Sequence, residues 1–300
     1  MILCKKCHNP LNIRDACYVC PSCDIAYPRE NGIINFSENN KEVKSYFPAG
    51  FFEKLFETET KSFWFVVRNQ IICQTIKRYL SFPAEIIEIG CGTGHVASAI
   101  QNLGYTVDCA DLFPDALSFC QTRNAGRSFF QLNIEEKVFF EEYDAVCAFD
   151  VIEHIENDGL ALNNMHHLLK EGGYAFITVP ACHSLWSTGD VFMEHKRRYT
   201  HIELRERVEQ SGFQVCRMTY FNIILFPLVY IVRNISNNSS ISNSSEKAVS
   251  NRYFSLLKPN WILNILLYTI FRIEPFFLRY MNFPIGGSLL CVAKKKGGQF

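Results

Sequence analysis

Glu88-Ile89-Gly90-Cys91-Gly92-Thr93-Gly94 joins an apolar run, Ile86-Ile87-Glu88-Ile89, to a segment of helical character over about 94–103. A strand that ends in glycines and reopens as a helix is the setting of a nucleotide-binding loop. Glycine permits the tight turn there and lets a ligand lie against bare backbone. The spacing is G-x-G-x-G, and the third-glycine position of the dinucleotide fingerprint holds His95, too bulky for close helix packing. Glu88 adds a carboxylate before the loop, which repels a pyrophosphate and suits a cationic ligand or its amino group. Asp111 closes the next apolar run, Thr106-Val107-Asp108-Cys109-Ala110. An acid at that strand end accepts hydrogen bonds from both hydroxyls of a ribose, each about 1.5–3 kcal/mol when charge-assisted. Asp108, the rival acid, falls in mid-strand.

Outward from this loop the chain alternates strands and helices. Further strands are expected at Phe129–Leu132, Ala145–Phe149, Tyr174–Val179, Phe213–Tyr220 and Ser288–Ala293. Helices are expected at Ala116–Asn124, at Leu160–Lys170 with a stop at Gly172-Gly173, and from the capping box Thr200-His201-Ile202-Glu203 to Gly212. Seven strands in this alternation imply an α/β fold with a mostly parallel sheet covered on both faces. The expected organisation is a cysteine-rich module over 1–36, a linker with N-terminal helices over 37–80, a nucleotide-type domain over 81–222 plus 285–297, and a hydrophobic helical insertion over 223–284.

These motifs resemble those of class I S-adenosylmethionine-dependent methyltransferases, over about residues 81–220 and the last strand. The resemblance implies a Rossmann-like fold and S-adenosylmethionine as cofactor. Glu88, Gly90, Cys91, Gly92 and Gly94 match the first motif, and Asp111 with Leu112 matches the ribose-binding acid. Asn133-Ile134 falls where the family contacts the adenine amino group, usually with an acid. Asp150 and Val151 lie in Phe149-Asp150-Val151-Ile152-Glu153-His154, the fourth-strand motif beside the methionine moiety. Asp150-x-x-Glu153-His154 is similar to the Glu-x-x-Glu-His of ubiquinone-type O-methyltransferases, where these side chains are assigned to a divalent metal. Here the first position is Asp, and a simple capping role for Glu153 and His154 stays open.

Cys4-x-x-Cys7 and Cys20-x-x-Cys23, 12 residues apart, have the spacing of a four-thiolate structural zinc site. Cys17-x-x-Cys20 is also a pair, but Pro21 favours the turn between Cys20 and Cys23. The segment resembles zinc-ribbon modules found beside methyltransferases. Read as a separate unit, it implies that Cys20→Ser unfolds the ribbon and leaves cofactor binding intact. The other eight of the 13 cysteines are scattered through apolar runs as small buried hydrophobes, which indicates a reducing compartment. With no apolar leader before the first charges, the expected location is cytoplasmic.

The 30 basic and 30 acidic residues balance, so no field points to nucleic acid. The fourth-strand segment also lacks the Asn/Asp-Pro-Pro-aromatic tetrapeptide of base methylation. A small-molecule, glycan or lipid-linked acceptor, methylated at oxygen, is the expectation. The alternatives are an RNA methyltransferase gripping its substrate through the ribbon and a non-catalytic cofactor-binding scaffold. Candidate catalytic residues are Glu153, His154 and His195. Arg197, Arg198 and Tyr199, in the charged cluster after the fifth strand, are candidates for holding the acceptor. Within the insertion the uncharged runs Met218–Val232 and Pro259–Phe271 fall short of a membrane span. Their flanks, Arg233, Arg252, Lys258, Arg272 and Arg279, suit peripheral contact with a membrane or a lid over a lipid-like acceptor.

Overall fold

The computed structural model describes residues 3–4, 6–7, 9–14, 17–36, 46–136, 143–231 and 246–296. Residues 37–45 of the expected linker and the Asn/Ser-rich stretch 234–245 lie outside the described residues. The N-terminal segment folds as short strands, β1 (Asn12–Arg14), β2 (Cys17–Val19), β3 (Ala26–Glu30) and β4 (Ile33–Asn35). Two helices follow, α1 (Phe51–Glu59) and α2 (Phe63–Tyr79). The alternating region comes next: β5 (Glu85–Ile89), α3 (His95–Gln101), β6 (Thr106–Asp111), α4 (Pro114–Thr122), β7 (Phe129–Gln131) and β8 (Tyr143–Phe149). It continues through α5 (Asp158–His167), β9 (Leu169–Pro180), α6 (Thr188–Phe192), α7 (His201–Gln210) and β10 (Phe213–Phe221). The insertion holds α8 (Glu246–Leu257), α9 (Trp261–Phe271) and α10 (Glu274–Leu278) before the last strand, β11 (Ser288–Lys295).

All strands join one sheet in the order β1-β2-β3-β4-β7-β6-β5-β8-β9-β11-β10. The expected seven strands form its main part, parallel from β7 to β9, with β11 and β10 antiparallel at one edge. The chain order reverses between β5, which pairs β6 on one side, and β8 on its other side. Ligands bind in the crevice that such a reversal opens beyond the strand ends. Ile86, Ile87, Val107, Cys109, Ala145 and Val146 are buried, as a sheet covered on both faces requires.

Two features depart from the sequence reading. Gly172 and Gly173 do not end a helix: β9 begins at Leu169, paired with Tyr143, and a register shift follows. A Cβ on Gly173 would stand 2.9 Å from the carbonyl oxygen of Lys170, so the glycines serve the bulge inside the strand. The cysteine module is also not a detached unit. Its β4 pairs in parallel with β7, Ile33 opposite Phe129, and Phe36 donates its N–H to the carbonyl of Gln131 at 2.9 Å. Tyr27, Ile34 and Phe36 share one buried cluster with Ile87, Ile89, Ala110 and Phe130.

The insertion is pinned to the end of β10. The buried carboxylate of Glu274 accepts hydrogen bonds from the N–H groups of Asn222, Ile223 and Ile224, and Arg217 donates to the carbonyl of Leu278 and to Asn282 Oδ1. Burial raises Glu274 to about 7, against the pull of those three donors. Trp64 of α2 stacks on Phe271 of α9 at 5.7 Å, so the insertion packs against α2.

Candidate active site

The loop between β5 and α3 turns through left-handed backbone at Gly90 (φ +65°) and Gly94 (φ +77°). Side chains are excluded at both. A Cβ at Gly90 would lie 2.5 Å from Val151 Cγ2, and one at Gly94 would lie 2.5 Å from Cys120 Sγ. Val151 thus packs against the loop across the β5–β8 junction. Cys91 offers the cleft only its backbone, because its thiol turns inward beside Cys109 and Cys120. The Asp111 carboxylate accepts from Gly92 N–H at 2.8 Å and from Phe113 N–H at 2.9 Å. Burial raises Asp111 to about 6, with those donors opposing the shift. Asn133 Oδ1 accepts from Glu135 N–H in a tight turn, and Ile134 is buried in the core beneath β4.

Unpaired buried polar atoms collect at the other side of the loop. Glu88 Oε2, Arg68 Nε, Asn69 Oδ1 and His95 Nε2 have no partner. Burial drives Glu88 well above the ordinary carboxylate range and His95 down to about 3. Arg68, on α2, reaches Asp150 Oδ2 at 2.7 Å and Thr178 Oγ1 at 3.4 Å. Asp150 itself sits at φ +58°, an uncommon conformation for a residue other than glycine. The sequence reading missed Arg68. Its signal was a lone cation beside the apolar face of a helix.

The acceptor side is built around Glu153, His154 and His195, whose ligand-type atoms lie within 4.8 Å of one another. Both carboxylate oxygens of Glu153 and Nδ1 of His154 are buried without partners. Burial raises Glu153 well above its ordinary range. It lowers His154 to about 3, helped by the neighbouring His195. His195 Nδ1 lies 3.0 Å from Asp190 Oδ1, and its Nε2 faces Glu153 Oε1 at 4.0 Å. Asp190 was not anticipated from sequence. It is buried at the N-terminus of α6, bound by Ser187 N–H and Oγ, each at 2.9 Å.

The neighbouring cluster is mostly internal. Arg198 and Tyr199 are buried: Arg198 donates to Asp190 Oδ1 at 2.6 Å and Tyr199 to Asp158 Oδ2 at 2.8 Å. Arg197 pairs with Asp158 at 3.0 Å and donates to the Glu156 carbonyl at 2.8 Å. These three side chains therefore hold the loop that carries His195, and none projects freely into the cleft. A cluster of aromatic rings packs between the two halves of the site. Phe51 contacts Phe47 at 4.1 Å, Phe254 at 5.6 Å and Phe192 at 6.2 Å, and Phe47 meets Phe113 at 5.9 Å. Leu112 packs against the same cluster. Phe113 follows Asp111 by two residues and Phe192 precedes His195 by three, so the cluster bridges the two halves of the site.

At the N-terminus the sulfurs of Cys4, Cys7, Cys20 and Cys23 all lie within 4.8 Å of one another, and Cys23 stands 3.1–3.6 Å from each of the other three. A tetrahedron with bonds of about 2.3 Å has edges of about 3.8 Å, so the cage fits one tetrahedral metal ion. Cys17 belongs to β2, outside this set.

A Rossmann-like sheet with a glycine loop at its crossover and an acid at the next strand end defines the class I methyltransferase fold. A family profile described as a methyltransferase domain matches residues 67–217. The chain belongs to that methyltransferase family. It is 29% identical over 118 residues to the ubiquinone biosynthesis O-methyltransferase of Rickettsia bellii, covering 37% of this chain and 49% of that protein. A protein of the same name from Glaesserella parasuis is 26% identical over 107 residues, covering 32% and 45%. The chain thus spans about half the length of the curated relatives it matches. Among solved structures, the fold is shared with a chain of the complex between the Trm112 methyltransferase activator of Haloferax volcanii and a methyltransferase. That likeness has a TM-score of 0.54 at 14% identity and covers 85% of this chain and 99% of the other. It is also shared with a protein provisionally named sarcosine dimethylglycine methyltransferase from Galdieria sulphuraria, with a TM-score of 0.52 at 13% identity, covering 77% and 86%.

Proposed function

We propose that this chain transfers the methyl group of S-adenosylmethionine to an oxygen of a small-molecule or lipid-linked acceptor, working in the cytoplasm at the membrane face. The observation that carries the reading is the meeting of Glu153, His154 and His195, where the buried Glu153 carboxylate and His154 Nδ1, both without hydrogen-bond partners, face the half-buried His195. In this reading Asp111 receives the ribose hydroxyls, Asn133 and Ile134 border the adenine, Gly90 and Gly94 permit the loop's turn against Val151 and Cys120, and Gly92, where an added Cβ would meet nothing within 4 Å, leaves room for the cofactor. Glu88 and Arg68 take the amino and carboxylate groups of the methionine end. His195 removes the acceptor proton, with Asp190 fixing its tautomer. The names of the relatives support oxygen as the methylated atom.

Glu153, His154 and His195 also fit a divalent cation, since a buried unpaired carboxylate and two imidazole nitrogens form an apt donor set. Asp150 is engaged by Arg68 and stands apart from that set. A cation there would polarise the acceptor oxygen. The four N-terminal cysteines are proposed to hold structural zinc, in a module spanning 1–36. The 223–284 insertion is proposed to roof the acceptor side through Phe254.

Two measurements test the reading. Isothermal titration should show S-adenosylmethionine binding that Asp111→Ala weakens at least tenfold, since a buried paired acceptor is lost. Because burial holds Asp111 near 6, affinity should also fall as pH drops through that value and the carboxylate takes up a proton. Unchanged affinity in a folded Asp111→Ala variant rejects the site. In the second measurement, protein given methyl-labelled cofactor should label a lipid or small-molecule extract. Label appearing only in RNA would transfer the case to a nucleic-acid acceptor.

A further inference from the structure

The insertion carries an apolar face that the fold leaves uncovered. Trp261, Ile262, Ile265 and Leu266 of α9, with Phe276 and Tyr280 beyond it, are each more than half exposed, up to 73% at Trp261. Contiguous apolar surface of this extent marks an interaction site. The opposite side of α9 is occupied: Phe271 stacks on Trp64, and Asn264 Oδ1 accepts from Phe63 N–H at 3.0 Å. The helix is therefore fixed to the body with its apolar face outward.

Charge identifies what meets that face. The chain as a whole is neutral, yet between residues 258 and 287 the cations are Lys258, Arg272 and Arg279, and the only acid is Glu274. Glu274 is fully buried and committed to three backbone N–H groups, so its charge does not reach the surface. The three cations are exposed, and Arg78 of α2 joins them by donating to the Arg279 carbonyl at 3.0 Å. Burying this face against a second copy of the chain would set these cations against themselves, since a two-fold interface opposes a patch to its own copy. An anionic lipid surface answers both the apolar area and the uncompensated cations. Trp261 and Tyr280 carry the amphipathic rings favoured at such a boundary.

We propose that α9 and α10 dock the protein flat on an anionic bilayer. Residues 261–278 reach a mean hydropathy of 1.4 over 18 residues. By length and composition that run could cross a bilayer, but Phe271, Glu274 and Leu278 are buried against the body, and Phe271 stacks on Trp64, so the run is held to the fold along its length. It lies in the interface, apolar face down. From there α8 leads inward: its Tyr253 packs on Phe192, three residues before His195, at 5.5 Å, and its Phe254 packs on Phe51. The proposal deepens the lipid-linked acceptor reading by giving that acceptor its point of entry.

Flotation of the full chain with vesicles of phosphatidylcholine, or of an equimolar phosphatidylcholine–phosphatidylglycerol mixture, tests the docking. Binding should favour the anionic vesicles and fall as salt rises. Arg272→Ala and Arg279→Ala should each weaken it about fivefold. The double variant Ile265→Glu/Leu266→Glu should abolish it while cofactor affinity stays unchanged, which certifies the fold. Failure to float with either vesicle overturns the proposal, and so does equal binding to both. Concentration-dependent self-association that the double variant removes also overturns it, in favour of a second copy. Flotation needs neither cofactor nor turnover, so its outcome is separate from that of the methyl-transfer reading.

Discussion

Replacing His195 with alanine is expected to lower kcat for methyl transfer by roughly 10²–10⁴-fold, the range for losing a general base, while cofactor affinity stays within twofold. The expectation comes from orientation. Asp190 fixes Nδ1 at 3.0 Å, which leaves Nε2 to face the buried Glu153 carboxylate at 4.0 Å. Asp190→Asn should favour the wrong tautomer and lower kcat with little change in KM, and because it also breaks the buried Arg198–Asp190 pair it should lower the melting temperature as well. Glu153→Gln separates two roles for the carboxylate. Burial already favours the protonated form of Glu153, and glutamine is a near-isostere of that form, so a hydrogen-bonding role predicts modest loss. A cation-holding role predicts near-complete loss, together with a dependence on added divalent metal in the wild type. Full activity in His195→Ala would remove the base from the mechanism.

The parts legible in the sequence were those with local signatures. Glycines at 90, 92 and 94, an apolar run before them and an acid at 111 placed the loop, the crossover and the central strands. Pairs of cysteines three apart placed the N-terminal cage. What escaped depended on contacts between distant segments. Asp190 reads as an ordinary helix-start acid until the loop folds His195 and Arg198 onto it. Arg197, Arg198 and Tyr199 read as a substrate-facing cluster because charge suggests solvent. Only Asp158 and Asp190, acids from different elements, reveal that Arg198 and Tyr199 are internal and that Arg197 is tied back to the fold. Arg68 gave a faint signal, and its role depends on α2 crossing over the end of β8.

The joining of β4 to β7 was equally illegible, since Ile33-Ile34-Asn35 is too short a run to name its neighbour, and it changes what metal removal should do. Stripping the proposed zinc from the Cys4/Cys7/Cys20/Cys23 cage, or substituting Cys20→Ser, is expected to lower the melting temperature of the whole protein and to weaken S-adenosylmethionine binding. Without the metal, the short strands β1 to β3 have little core of their own, and structural zinc contributes about 10–16 kcal/mol in such modules. Once they unfold, Tyr27, Ile34, Phe36 and Phe130 lose their shared packing. Each large apolar side chain returned to water costs about 1.5–3 kcal/mol, so even two of them amount to a shift on the order of 10 °C. The damage continues along β7: Gln131, whose carbonyl receives the N–H of Phe36, lies two residues before Asn133 at the proposed adenine edge. Cofactor affinity should therefore fall at least tenfold in the stripped protein and recover when zinc is restored. Thermal unfolding and isothermal titration on the same samples, with metal content measured alongside, decide the matter. If the zinc-free protein melts and binds as the loaded one does, the module is a separate unit after all, and the strand pairing between β4 and β7 carries no energetic weight.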